Sequence, residues 1–172
     1  MQAYALRLVE PGINLFRFAM GQGIERFSVD EGVEPGTYRI ASGLRDTVLQ
    51  VSDHDSTKVV ACILAEKQDS QQRSGSGYRF QNKKHTDLYL SVSSTDSHAF
   101  VTASKYPSTW VLLKIDNFYG IKLADNDKMI DLHFGRGTNG NEIHVWPSDG
   151  SAKQTWKLVR TDDNTGKPDR GT

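Results

Sequence analysis

The sequence has a single cysteine, Cys62, so no internal disulfide can form and the fold must hold by packing and hydrogen bonding alone. Net charge is also missing: 21 Lys plus Arg stand against 21 Asp plus Glu, and no basic run occurs. That balance provides no field to gather nucleic acid or an anionic membrane. Apolar runs are short, none approaching the ~18 residues of a membrane-crossing helix, so no membrane insertion is expected. Met1 to Glu10 carry Arg7 and Glu10 where a secretory leader needs unbroken apolar sequence, and the expected location is cytoplasmic. Helical patterning is scarce. The one amphipathic run, Ala5 to Met20, is broken at Pro11-Gly12 and reads equally as two strands and a turn.

Signatures of catalysis are missing too. Ser, His and Asp occur, but no serine sits in a nucleophile elbow, and Gly75-Ser76-Gly77 is followed by no helix that could cradle a phosphate. His133, and His54 between Asp53 and Asp55, lack metal-ligand spacing and read as solvated loop residues. Neither an enzyme, a cofactor nor a metal is expected. Cys62, among Val, Ala, Ile and Leu, reads as a buried, inert thiol.

What the sequence does have is a repeat. Three segments open on a tyrosine, at Tyr38, Tyr78 and Tyr119, which lie 40 and 41 positions apart. Each gives a short strand, a polar turn and a second strand that ends on an aliphatic residue 13, 14 or 13 positions after the tyrosine: Val51, Val92 and Leu132. A third apolar strand follows in each, at Val59 to Leu64, Ala99 to Ala103 and Glu142 to Trp146. The units close on Gln71-Gln72-Arg73, Ser108-Thr109-Trp110 and Gln154-Thr155-Trp156. Four strands repeated three times make twelve. Units this small bury little alone, so three packed about a pseudo-threefold axis, with inner strands closed into a barrel, is the expected solution. The 37% hydrophobic content suffices for one such core. The expected division is an amino-terminal extension, 1–33, that packs on the barrel or on a partner subunit; units 34–73, 74–115 and 116–160; and a polar tail, 161–172, that has nothing to bury and is expected to be disordered.

Gln154-Thr155-Trp156 resembles the Gln-x-Trp signature of ricin-B-like (R-type) lectin domains, and Glu34-Pro35-Gly36-Thr37-Tyr38-Arg39-Ile40 looks like the opening of fungal members. The resemblance covers Pro35 to Arg160. It implies an all-β, β-trefoil fold and carbohydrate binding, with glycans or glycoproteins as partners. In the family's sites an Asp on the second strand accepts hydrogen bonds from sugar hydroxyls, and an aromatic on the third strand stacks on the sugar. Carried over residue by residue, the third unit matches best: Asp131 is the acid, Trp146 the platform, His144 a hydrogen-bonding neighbour, Lys153 stands where Asn is common, and Gln154 follows it. Galactose or N-acetylgalactosamine is the implied sugar type, although a lysine at 153 could suit an acidic sugar. Gln50 and Ser91 replace the acid in the other units, and of these only the second unit offers His98 and Phe100 nearby.

Structural roles stand beside these. If Ile143 and Val145 face the core, His144 and Trp146 share the outer face; otherwise Trp146 is core. Asp131 could equally hold a turn, and Lys153 could be a plain surface lysine. Trp110 and Trp156 read as core. A single site would need a homodimer to crosslink glycans, with the apolar residues of 1–33 as the contact. The alternative function is a protease inhibitor or other protein-binding trefoil that acts through loops such as Gln68 to Gly77 and Asp125 to Lys128.

Overall fold

The computed structural model describes residues 4–8, 28–29, 33, 36–63 and 77–161. Its strands are β1 (Tyr4–Leu8), β2 (Ser28–Val29), β3 (Gly36–Ser42), β4 (Thr47–Val51), β5 (Val59–Ile63), β6 (Tyr78–Asn82), β7 (Tyr89–Val92), β8 (Val101–Ser104), β9 (Trp110–Ile115), β10 (Phe118–Leu123), β11 (Lys128–Leu132), β12 (Asn141–Pro147) and β13 (Trp156–Arg160). All thirteen join one antiparallel sheet. The only helical segments among the described residues are single 3-10 turns at His133–Gly135 and Ala152–Gln154.

The repeat becomes a layered core. Ile40, Phe80 and Ile121, each two positions after its tyrosine, are all buried, as are Leu49, Leu90 and Ile130 on the second strands. Trp110 and Trp156 are fully buried, and their indole N–H groups donate to equivalent carbonyls, Leu90 O at 3.3 Å and Ile130 O at 3.1 Å. Each buried indole removes enough apolar surface to contribute about 4–6 kcal/mol, and its one polar atom is satisfied. Cys62 departs from the expectation of full burial and is half-buried, because the alternation that turns Ala61 into the core turns its neighbour away.

Third strands from the three units meet at one end of the barrel. β12 pairs with β5 through Asn141↔Ala61 and Glu142↔Val60. Lys58 pairs with Thr102, and Phe100 pairs with His144. At the last of these seams the amide of His98 donates to Val145 O at 3.0 Å and the amide of Val145 to Ala99 O at 2.8 Å. Segments of the second and third units are thereby fixed against each other.

The first unit closes in an unexpected way. Trp110 pairs with Tyr78 of its own unit and Leu123 of the next; Trp156 pairs with Tyr119 of its own unit and Ser42 of the next. The corresponding place in the first unit is between Tyr38 and Asn82, and Tyr4 of β1 pairs with both. A strand from the amino-terminal region thus stands in register where the first unit's closing strand belongs, and Gln2-Ala3-Tyr4 has the spacing of Gln154-Thr155-Trp156. The closer expected at Gln71-Gln72-Arg73 and the tail beyond Thr161 lie outside the described residues.

Candidate functional site

β11 and β12 form a hairpin in which Asp131 faces His144 and Met129 faces Trp146 across the ladder. Asp131 and His144 point to the same face, and the His144 Nε2 lies 2.9 Å from Asp131 Oδ1. This is the outward face of the hairpin that strand alternation indicates, but it is not open. Asp131 is 0% exposed and His144 4%: the segment from Pro147 to Thr155 brings Lys153 over Asp131, and the rings of His98 and His133 lie against His144. Gln154 holds that segment: its Nε2 donates to Pro147 O at 2.9 Å and its Oε1 accepts from the Asp149 amide at 3.0 Å.

Lys153, placed by the 3-10 turn, completes the lid. Its Nζ lies 3.4 Å from Asp131 Oδ2 and 3.8 Å from Asp149 Oδ2, with about a third of its side chain exposed. The contact with Oδ2 is an ion pair without hydrogen-bond geometry, so this buried oxygen is balanced by charge alone. Both carboxylate oxygens of Asp131 therefore face protein cations or donors. The equivalent positions in the other units, Gln50 and Ser91, are buried as well, and Ser91 Oγ donates to Tyr106 O at 2.8 Å. The position is shielded throughout the fold, and strand alternation, which sets a side chain's face and not its depth, could not show it.

Trp146 is half-buried. His98 lies over it, ring centroids 4.1 Å apart and tilted by 41°, and His144 stacks at 6.2 Å. Beyond His144 comes His133, in the turn that ends β11, with its Nδ1 2.8 Å from His144 Nδ1. The His98 Nδ1 approaches the same atom to 3.4 Å. Burial, then the His144 ring, with smaller contributions from His98 and Arg136 and against the pull of Glu142, holds the His133 imidazole below its ordinary value of 6.5.

Asn141 secures the His133 turn by donating from Nδ2 to His133 O and Arg136 O, both at 3.0 Å. Phe134, 67% exposed, and Phe100, 47% exposed, flank the cluster. His98 and Phe134 both have left-handed backbones, with φ of 70° and 51°, a conformation that costs side-chain-bearing residues energy and that here presents two rings to one spot.

All five residues expected at the site, Asp131, His144, Trp146, Lys153 and Gln154, are brought together in the third unit, with Asp131, His144 and Gln154 forming its buried floor. Asp149 was not foreseen, His98 was expected only beside the second unit's position, and His133, expected as a solvated loop residue, is instead half-buried against His144. A trace of the histidines was present in the repeat of His-x-aromatic at His98-Ala99-Phe100 and His144-Val145-Trp146.

No family model matches the chain, and no curated protein matches it. Solved structures match in fold. The ricin B-like lectin of Macrolepiota procera, solved in complex with lactose, is 21% identical with a TM-score of 0.70, over 76% of this chain and 99% of that one. The designed threefold-symmetric protein ThreeFoil is 21% identical with a TM-score of 0.66, over 73% and 99%. The agglutinin of Rhizoctonia solani is 18% identical with a TM-score of 0.66, over 77% and 99%.

Proposed function

From a chain that has the ricin-B-like β-trefoil fold, we propose a carbohydrate-binding protein that takes glycans of the galactose or N-acetylgalactosamine type at its third unit. The observation that carries this reading is the acid and aromatic pair, Asp131 and Trp146, on neighbouring strands of one hairpin. A lectin of the same fold holds lactose.

The geometry divides the labour. Asp131 is shielded, so a sugar meets the groups around it first: Lys153, which donates, Asp149, which accepts, and the exposed part of Trp146. Hydroxyls suit this mixture because each can both donate and accept, while the C–H face of a pyranose suits an indole. Asp131, His144 and Gln154 position these groups from below. A charge-assisted hydrogen bond of about 1.5–3 kcal/mol with stacking of about 1 kcal/mol, less the cost of immobilising the ligand, gives a monovalent Kd in the millimolar to high-micromolar range.

A glycan array with the full chain, followed by titration of its best ligand, tests the reading. Galactosides should bind, and Trp146→Ala and Lys153→Ala should each weaken binding at least about tenfold, the loss of one ~1.4 kcal/mol contact. Failure of every glycan to bind, or undiminished binding by both variants, would overturn it.

A further inference from the structure

We propose that His98, His133 and His144 form a binding site for a divalent transition-metal ion of the zinc class. One nitrogen from each ring lies within 4.8 Å of the other two. Tetrahedral zinc with Zn–N bonds of about 2.0–2.1 Å holds its ligand nitrogens roughly 3.3 Å apart. The observed separations of 2.8 Å for His133 to His144 and 3.4 Å for His98 to His144 bracket that value. Small rotations of the more exposed rings would complete the set.

Three features point to a ligand rather than to incidental packing. The first is the tautomer of His144. Its Nε2 faces the Asp131 carboxylate at 2.9 Å, which accepts and so fixes the proton on Nε2. The Nδ1 lone pair is left aimed at the other two rings, and a carboxylate that orients a histidine in this way is the usual support of a metal-bound imidazole.

The second feature is a mismatch in hydrogen bonding. Two ring nitrogens converge on that single lone pair, and one proton can serve only one of them; a cation serves all three. The third is the backbone. His98 is held in a left-handed conformation, pinned by its amide to Val145 O, and the left-handed Phe134 follows His133 directly. Strain of this kind collects where side chains are aimed.

An all-imidazole set selects zinc, copper or nickel over magnesium and calcium, which prefer oxygen. His98 belongs to the second unit and the other two to the third, so the ion would clamp the seam between units. Because His98 is exposed, the ion's remaining coordination position would open towards solvent.

The test uses the full chain without an affinity tag, stripped with chelator and titrated with zinc sulfate by calorimetry, with thermal unfolding in parallel. One equivalent of zinc should bind and raise Tm, magnesium should do neither, and Co2+ should give the visible absorption of a tetrahedral site. His98→Asn, which tolerates the left-handed backbone, and His133→Ala should each weaken zinc at least tenfold. Asp131→Asn, which retains the shape and one acceptor oxygen but removes the charge that orients and polarises the His144 ring, should weaken it about tenfold or more, while His85→Ala should leave it unchanged. Absence of zinc binding overturns the proposal. So does unchanged affinity in His98→Asn, or loss of binding in His85→Ala. Glycan binding is measured separately and enters none of these outcomes.

Discussion

Replacing Lys153 with methionine removes the ammonium from beside a fully buried carboxylate oxygen and keeps most of the stem's packing. At 3.4 Å the bare Coulomb attraction is about 5 kcal/mol at an effective dielectric of 20. With a third of the Lys153 side chain exposed, water screens much of it, and the bond from His144 survives, so the net loss should be about 2 kcal/mol. For a chain of this length that is roughly 4–8 °C in Tm.

The charge, not the packing, is responsible in this account, and a second change isolates it. Asp131→Asn alone should cost about 1 kcal/mol, because Lys153 can turn to Asp149 and to water. Added to Lys153→Met it should restore part of the lost stability, since the buried charge is gone. Urea unfolding of the four proteins measures this cycle directly. A cost for Lys153→Met below about 0.5 kcal/mol, or strict additivity in the double variant, would refute the claim that Lys153 neutralises Asp131.

Trp156→Ala should lose about 3–5 kcal/mol in the same assay, through the cavity and the orphaned Ile130 carbonyl. The His133 pKa lies below 6.5 in the folded chain. Between that value and 6.5 the unfolded chain binds more protons, so this contribution is complete above pH 6.5 and is lost as pH falls through the folded pKa; His133→Ala should flatten the decline in urea midpoint between pH 7.5 and 5. Deleting residues 1–8 strips β1 from between β3 and β6 and should abolish the cooperative melt, or produce higher-order species through the two exposed edges, as read by circular dichroism and size-exclusion chromatography. A monomer with an unchanged melt would show that β1 is dispensable.

The barrel was legible because its information is local and recurs. A tyrosine opening a strand, an aliphatic residue 13 or 14 positions on and a buried tryptophan each report a short-range pattern, and three registers of it fix the architecture. β1 was not legible, because a strand that fills another unit's gap has partners at Gly36–Tyr38 and Tyr78–Asn82 and no marker of its own beyond Gln2-Ala3-Tyr4. That Asp131, His144, Trp146, Lys153 and Gln154 would lie near one another was readable from the hairpin and the closing segment. The site's accessibility was not, since the burial of Asp131 depends on a returning segment locked by Gln154. The histidine cluster escaped for a related reason: its members sit on three turns and strands whose spacing in the chain matches no ligand motif, and only the seam between units brings His98 to the other two.

The position of β1 also bears on how the barrel assembles. Ile115 and Phe118 can pair as soon as a three-residue step is made, whereas Tyr4 and Asn82 are 78 positions apart and carry roughly 3 kcal/mol more loop-closure entropy. Neighbouring hairpins therefore form early and the β1 seam forms late, which raises the contact order and slows folding. Until that seam zips, β3 and β6 present bare edges to any other chain nearby. The interval before closure is when this protein is most exposed to misassembly, and its yield on refolding should fall with concentration.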